Sequence, residues 1–126
     1  MSEAELLETV TNWHSLAMGA MVFYTSIVTA YLITARFVGA ELESSQVVII
    51  TGLFLVFSSF AVWGSIAYFW IGTHFMLQTE AYRDLRTEEW VSPHVVIGSA
   101  EIVGILVSLW FMWRIRTGSA SSSRDD

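Results

Sequence analysis

Apolar residues in this chain are concentrated in three blocks separated by short charged stretches. Residues 15–35 contain no charged side chain, residues 47–77 contain none, and residues 91–113 contain one, Glu101. Each block meets the requirement of roughly 20 consecutive apolar residues for a membrane-crossing helix. The pattern predicts an all-α membrane protein with three transmembrane helices in an antiparallel bundle, the spans covering about 13–38, 46–77 and 92–114. Residues 1–12 form an acidic lead-in, with capping-box spacing between Ser2 and Glu5, that is expected as a short helix either lying at the interface or running straight into the first span. The small, polar residues 118–126 read as a flexible tail beyond a transmembrane domain of 13–117.

Punctuation between the blocks supports these boundaries. Gly39 suits the C-cap of the first helix, and Ser44 or Ser45 the N-cap of the second. Ser92 followed by Pro93 is a strong start for the third. The second block is longer than a bilayer needs: 47–77 is ~46 Å of helix against a hydrocarbon core of ~30 Å. Either that helix tilts or its end near residues 70–82 projects from the membrane. The mixed charges of residues 80–90 read as a folded surface segment.

Composition narrows the classes of function. The 126 residues are 54% hydrophobic, with a formal charge of −6 and no cysteine. Disulfides, thiolate metal ligands and iron–sulfur clusters are excluded. All six basic residues are arginine, and no basic patch exists for nucleic acid or anionic lipid. The first eight residues hold Glu3, Glu5 and Glu8 and no basic group, the reverse of a secretory signal. Arg36, Arg114, Arg116 and Arg124 fall on one side of the predicted topology, and Arg83 and Arg86 on the other. The bias favours the N-terminus out and the C-terminus in, and the expected location is a cell inner membrane. Trp13 and Trp90, with Trp110 and Trp113 opposite, fit interfacial belts.

Within this frame Glu101 stands out, because a charge at the centre of a span costs at least ~2.5 kcal/mol even on lenient insertion scales. Desolvation there favours the neutral form, as a proton or cation carrier needs. The structural alternative is a hydrogen bond to Thr25, Ser26 or Thr29 on the first span, or to Ser58, Ser59 or Ser65 on the second. His14, His74 and His94 all fall on one side of the membrane, and His94 shares a helix face with Glu101 two turns away. With Glu101 they form a candidate set for a transition metal or haem. Against that stands the absence of tight ligand spacing, since interfacial histidines need no metal.

Two further patterns carry expectations. Ala100, Gly104 and Ser108 form a small-residue ladder on the third span, and Gly64 and Gly72 share a face of the second. Such ladders mark close helix contacts, between copies or inside one chain. Trp63, Ala67, Trp70 and His74 share another face of the second span, which suits a flat ligand such as a quinone or simply lipid. No stretch carries a family signature. In plan alone the chain is similar to the anchor subunits of succinate dehydrogenase, whose histidine pattern residues 72–84 do not reproduce. The sequence predicts a small membrane protein, homo-oligomeric or subunit to a larger complex, with Glu101 binding a proton or cation or fixing helix contacts. A metal- or haem-binding redox subunit and an oligomeric channel or transporter are the alternatives. No nucleophile with its base is visible, so soluble catalysis is not expected, and the balance leans away from an enzyme without closing the question.

Overall fold

The computed structural model describes residues 1–80 and 91–122, and within them every regular element is a helix. Three helices follow in order: α1 (Glu3–Val38), α2 (Ser44–Met76) and α3 (Pro93–Ser122). Each is long and apolar enough to cross a membrane.

α1 opens with a capping box. The Ser2 hydroxyl accepts from the Glu5 amide at 3.3 Å, and the Glu5 carboxylate accepts from the Ser2 amide at 2.7 Å. Of the two expectations for the acidic lead-in, it follows the one that runs straight into the first span, as the first three turns of a 36-residue helix. Nothing between Ser2 and Val38 interrupts it: there is no proline, and the Thr9 and Thr11 hydroxyls bond carbonyls one turn back. The helix stops at Gly39, whose amide still reaches Ala35 O at 3.1 Å.

The start of α2 corrects the sequence expectation of a serine cap. Glu43 is the N-cap, with Ser44 the first helical residue, because Gln46 accepts the Glu43 amide at 2.9 Å and so satisfies the entry one position earlier. α3 begins at Pro93, where the missing amide hydrogen costs nothing. It continues to Ser122, so residues 118–122 are helix and not the flexible tail expected from their composition. Their hydroxyls explain this. Thr117, Ser119 and Ser121 each bond a carbonyl three or four residues back, which absorbs the groups that would otherwise favour a coil. Residues 123–126, with Arg124, lie outside the described residues, as does the 81–90 stretch with Arg83, Arg86 and Trp90.

Cross-helix contacts fix the relative directions. Gly64 faces Ala20, Gly72 faces His14, and Tyr31 reaches Thr51, so α1 and α2 run in opposite directions. Tyr24 bonds Glu101, and Arg116 bonds Gly39 and Leu42, so α3 runs alongside α1 in the same direction. Two ends result. One carries His14, His74 and His94, and the other carries Arg36, Arg114 and Arg116; they are called here the histidine end and the arginine end.

The core at the arginine end is built on an aromatic stack. Tyr31 lies on Phe54 with ring centroids 4.0 Å apart and planes 15° from parallel, flanked by Ala35 and Met112. The Tyr31 hydroxyl also meets Thr51 Oγ1 at 3.1 Å. Elsewhere the distribution inverts that of a water-soluble protein. Phe23, Phe60, Trp63, Leu106 and Trp113 point outward, while Ser58, Ser65, Thr73, Glu101 and Ser108 are buried. An apolar exterior around a small-residue, hydroxyl-bearing interior is what helices packed in hydrocarbon require.

Candidate functional site

Glu101 sits at the meeting point of the three helices, only 5% exposed. The Ser65 hydroxyl of α2 donates to its Oε1 at 2.9 Å. From α1, the Tyr24 hydroxyl donates to the Glu101 backbone carbonyl at 2.5 Å. Its other carboxyl oxygen, Oε2, is buried without a hydrogen-bond partner. Buried polar atoms are nearly always paired, so an unpaired carboxyl oxygen needs a chemical explanation. No lysine or arginine occurs in 9–35, 44–79 or 93–113, so among the described residues no cation lies at that depth to neutralise the carboxyl. Beside it, between α1 and α3, a cavity of about 280 Å³ is lined by Met21, Tyr24, Thr25, Ile97, Ala100 and Glu101 among others.

The local sequence produces this arrangement. Gly104, one turn beyond Glu101, has no side chain on the face that meets Tyr24, and the Tyr24 hydroxyl occupies that space. Of the six hydroxyls offered as partners by the sequence, Ser65 is the one that reaches the carboxyl. Thr25 and Ser26 bond the carbonyls of Met21 and Val22, Ser58 bonds that of Phe54, and Ser59 and Thr29 face outward.

The histidines do not converge. His14 packs across Gly72 and lies 5.7 Å from the Phe69 ring. His74 turns outward and stacks on Trp70 with centroids 6.1 Å apart. His94 is half-buried, with Nδ1 buried and unpartnered. Among the described residues no three His, Asp or Glu side chains come together as a metal site. His94 and Glu101 do share the inner face of α3, two turns apart. The Trp63, Trp70 and His74 face points away from the other helices, with Trp63 68% and Trp70 57% exposed.

The small residues serve the chain's own packing. Gly64 meets Ala20, and Gly72 admits His14 so closely that an added Cβ would lie 2.6 Å from His14 Cδ2. Ser108 is buried and bonds Gly104 O at 2.7 Å. Ala100 is exposed and borders the cavity beside Glu101.

Three residues of this site and its frame were not singled out from sequence. Tyr24 is one, and its only signal was a glycine on another helix. Thr73 is the second: 5% exposed, its hydroxyl unpartnered, eight residues beyond Ser65 on α2. Arg116 is the third, donating to Gly39 O at 3.1 Å and Leu42 O at 2.8 Å.

Fold and site together define an all-helical chain with three helices able to span a membrane and one carboxyl buried where they meet. Comparison with protein-family models, with curated proteins and with solved structures finds no match to this chain.

Proposed function

We propose that this chain is a small multi-pass protein of a bacterial-type inner membrane in which Glu101 carries an exchangeable proton. Its three helices form an antiparallel bundle, acting as a homo-oligomer or as a subunit of a larger membrane complex. The observation that supports this reading is the buried, unpartnered Oε2 of Glu101. A proton is favoured over a metal cation by the donor set. Hard cations take six or more oxygen ligands, whereas here one hydroxyl meets the carboxyl and the Tyr24 hydroxyl is committed to a carbonyl. Packing alone is a weak reason for the residue, since side-chain hydrogen bonds between membrane helices average only ~0.6 kcal/mol.

Infrared difference spectroscopy on protein in lipid tests the proposal. A carboxylic C=O band that titrates with pH and vanishes in Glu101→Gln is the expected result. Absence of any Glu101 band that responds to pH overturns it. A second reading, in which Glu101 only fixes helix contacts, is favoured by the Ser65 and Tyr24 bonds that tie both other helices to this one residue. It predicts that Glu101→Gln, which keeps shape and acceptor, is silent in every assay while Glu101→Leu loosens the fold. The orientation, N-terminus out by the arginine bias, is tested by one-sided labelling of single cysteines at Ser2 and Ser123, in a chain with no native thiol.

A further inference from the structure

Among the described residues three buried side-chain atoms lack a hydrogen-bond partner: Thr73 Oγ1, His94 Nδ1 and Glu101 Oε2. They are not scattered. Ser65 of α2 bonds Glu101 of α3, and Ile66 of α2 packs on Gly98 of α3, so the two helices pass each other in opposite directions at this level. Thr73 lies eight residues beyond Ser65, and His94 lies seven residues before Glu101. Both intervals rise ~10–12 Å toward the histidine end. On α2, Thr73 falls on the side that carries Ile66, the side that meets α3. On α3, His94 falls within ~20° of Glu101, given 100° per residue. The unsatisfied atoms therefore mark one seam, from Glu101 to the end where α2 finishes and α3 begins.

In the opposite direction the polar groups are closed. The Ser58 hydroxyl donates to Phe54 O at 2.5 Å, and Ser108 donates to Gly104 O at 2.7 Å. Beyond them stand the Tyr31–Phe54 stack and Met112. The protons of both hydroxyls are thus committed to their own helices, and the Tyr31–Phe54 stack fills the space beyond.

We infer that the α2–α3 seam is a one-sided water-filled proton inlet, running from the histidine end to Glu101 and ending there. The inference rests on the reading of Glu101 as a proton-exchanging group and adds the route and its side. Buried polar atoms without protein partners are the usual hosts of internal water, which needs two to four such partners. A rise of ~10 Å corresponds to about three waters at a hydrogen-bond spacing of ~2.8 Å. In each transfer one O–H bond breaks on the donor and one forms on the next oxygen. The net result is one proton taken from the aqueous phase and bound at Oε2. The groups facing Glu101 are the Ser65 and Tyr24 hydroxyls, with His94 two turns away along α3, while His14 of α1 packs over Gly72 of α2. Ile66, seated on Gly98 midway, is the apolar constriction of the route.

The test uses the full chain in sealed lipid vesicles and two readouts. Single cysteines at Ser65, Thr73, Ser58 and Ser108 are challenged from each side with a small membrane-impermeant cationic thiosulfonate. Thr73→Cys, outside the Ile66 constriction, reacts from the histidine end only, Ser65→Cys inside it reacts more slowly than Thr73→Cys, and Ser58→Cys and Ser108→Cys react from neither side. Protection of Thr73→Cys from both sides overturns the inlet, as does equal reaction of all four. In parallel, deuterium exchange of the Glu101 carboxyl is followed by its infrared shift. Thr73→Val slows the exchange about tenfold, the factor that one lost hydrogen bond of ordinary strength is worth. An unchanged rate in Thr73→Val, with the Glu101 band present, overturns the route and leaves the proton site standing. A missing Glu101 band removes the site itself, so the two failures are told apart.

Discussion

The two ends of this protein use the same kinds of polar side chain in opposite ways. At the arginine end every named hydroxyl is spent: Tyr31 meets Thr51, Ser58 and Ser108 bond their own helices, and an aromatic stack fills the space between. At the histidine end Thr73, His94 and Glu101 each keep a buried atom without a partner. In hydrocarbon both arrangements are energetically consequential, because water is not there to satisfy what the protein leaves open. One end is closed by its hydrogen bonds, and the other is left able to accept water. A hydroxyl that bonds the carbonyl one turn back has its proton committed; one that does not keeps it for something else.

Substitutions that act on one end only can break or sharpen this contrast. Tyr31→Ala removes the stack on Phe54 and the bond to Thr51, and is expected to destabilise by about 3 kcal/mol, as large-to-small changes of buried aromatics do. Reversible unfolding in mixed micelles measures it, and a loss below that of a surface substitution would deny the arginine end its role as the packed core. Arg116→Ala strips two carbonyls of a charged donor and should cost about 1.5 kcal/mol, with Arg116→Lys recovering part of it; equal loss in both would show that the bonds to Gly39 and Leu42 carry no energy. Smallest is Thr73→Val, which replaces an unpartnered hydroxyl by a methyl of similar shape and should leave stability within about 0.5 kcal/mol of the parent. A large loss there would mean that Thr73 is bonded within the protein and that the two ends are alike.

Much of the fold was legible in the pattern of apolar blocks, and Glu101 was legible because a single acid in such a block is costly. Its partner was not. Six hydroxyls on two helices were equally eligible, and the choice depends on how each helix is rotated about its axis. In a water-soluble protein the apolar stripe reveals that rotation. In α2, apolar residues occupy every side, from inward Phe54 and Phe69 to outward Phe60 and Trp63, so the pattern points nowhere. Tyr24 was hidden for a related reason, since its place depends on the absence of a side chain at Gly104. The small residues on α2 and α3 could be read for close approach but not for what approaches, and in Gly64, Gly72 and Gly104 it is this chain's own Ala20, His14 and Tyr24. The helical character of 118–122 was missed because glycine and serine favour coil by composition, whereas here Thr117, Ser119 and Ser121 turn their hydroxyls back onto the helix.

Arg116 joins parts of the chain made far apart in time. The loop carbonyls of Gly39 and Leu42 emerge early in synthesis, while the guanidinium that binds them arrives only when α3 is nearly complete. Until then the first two helices form a hairpin whose turn lacks its charged donor. The third helix thus acts as a latch on the first connection, which stays open until α3 has been made.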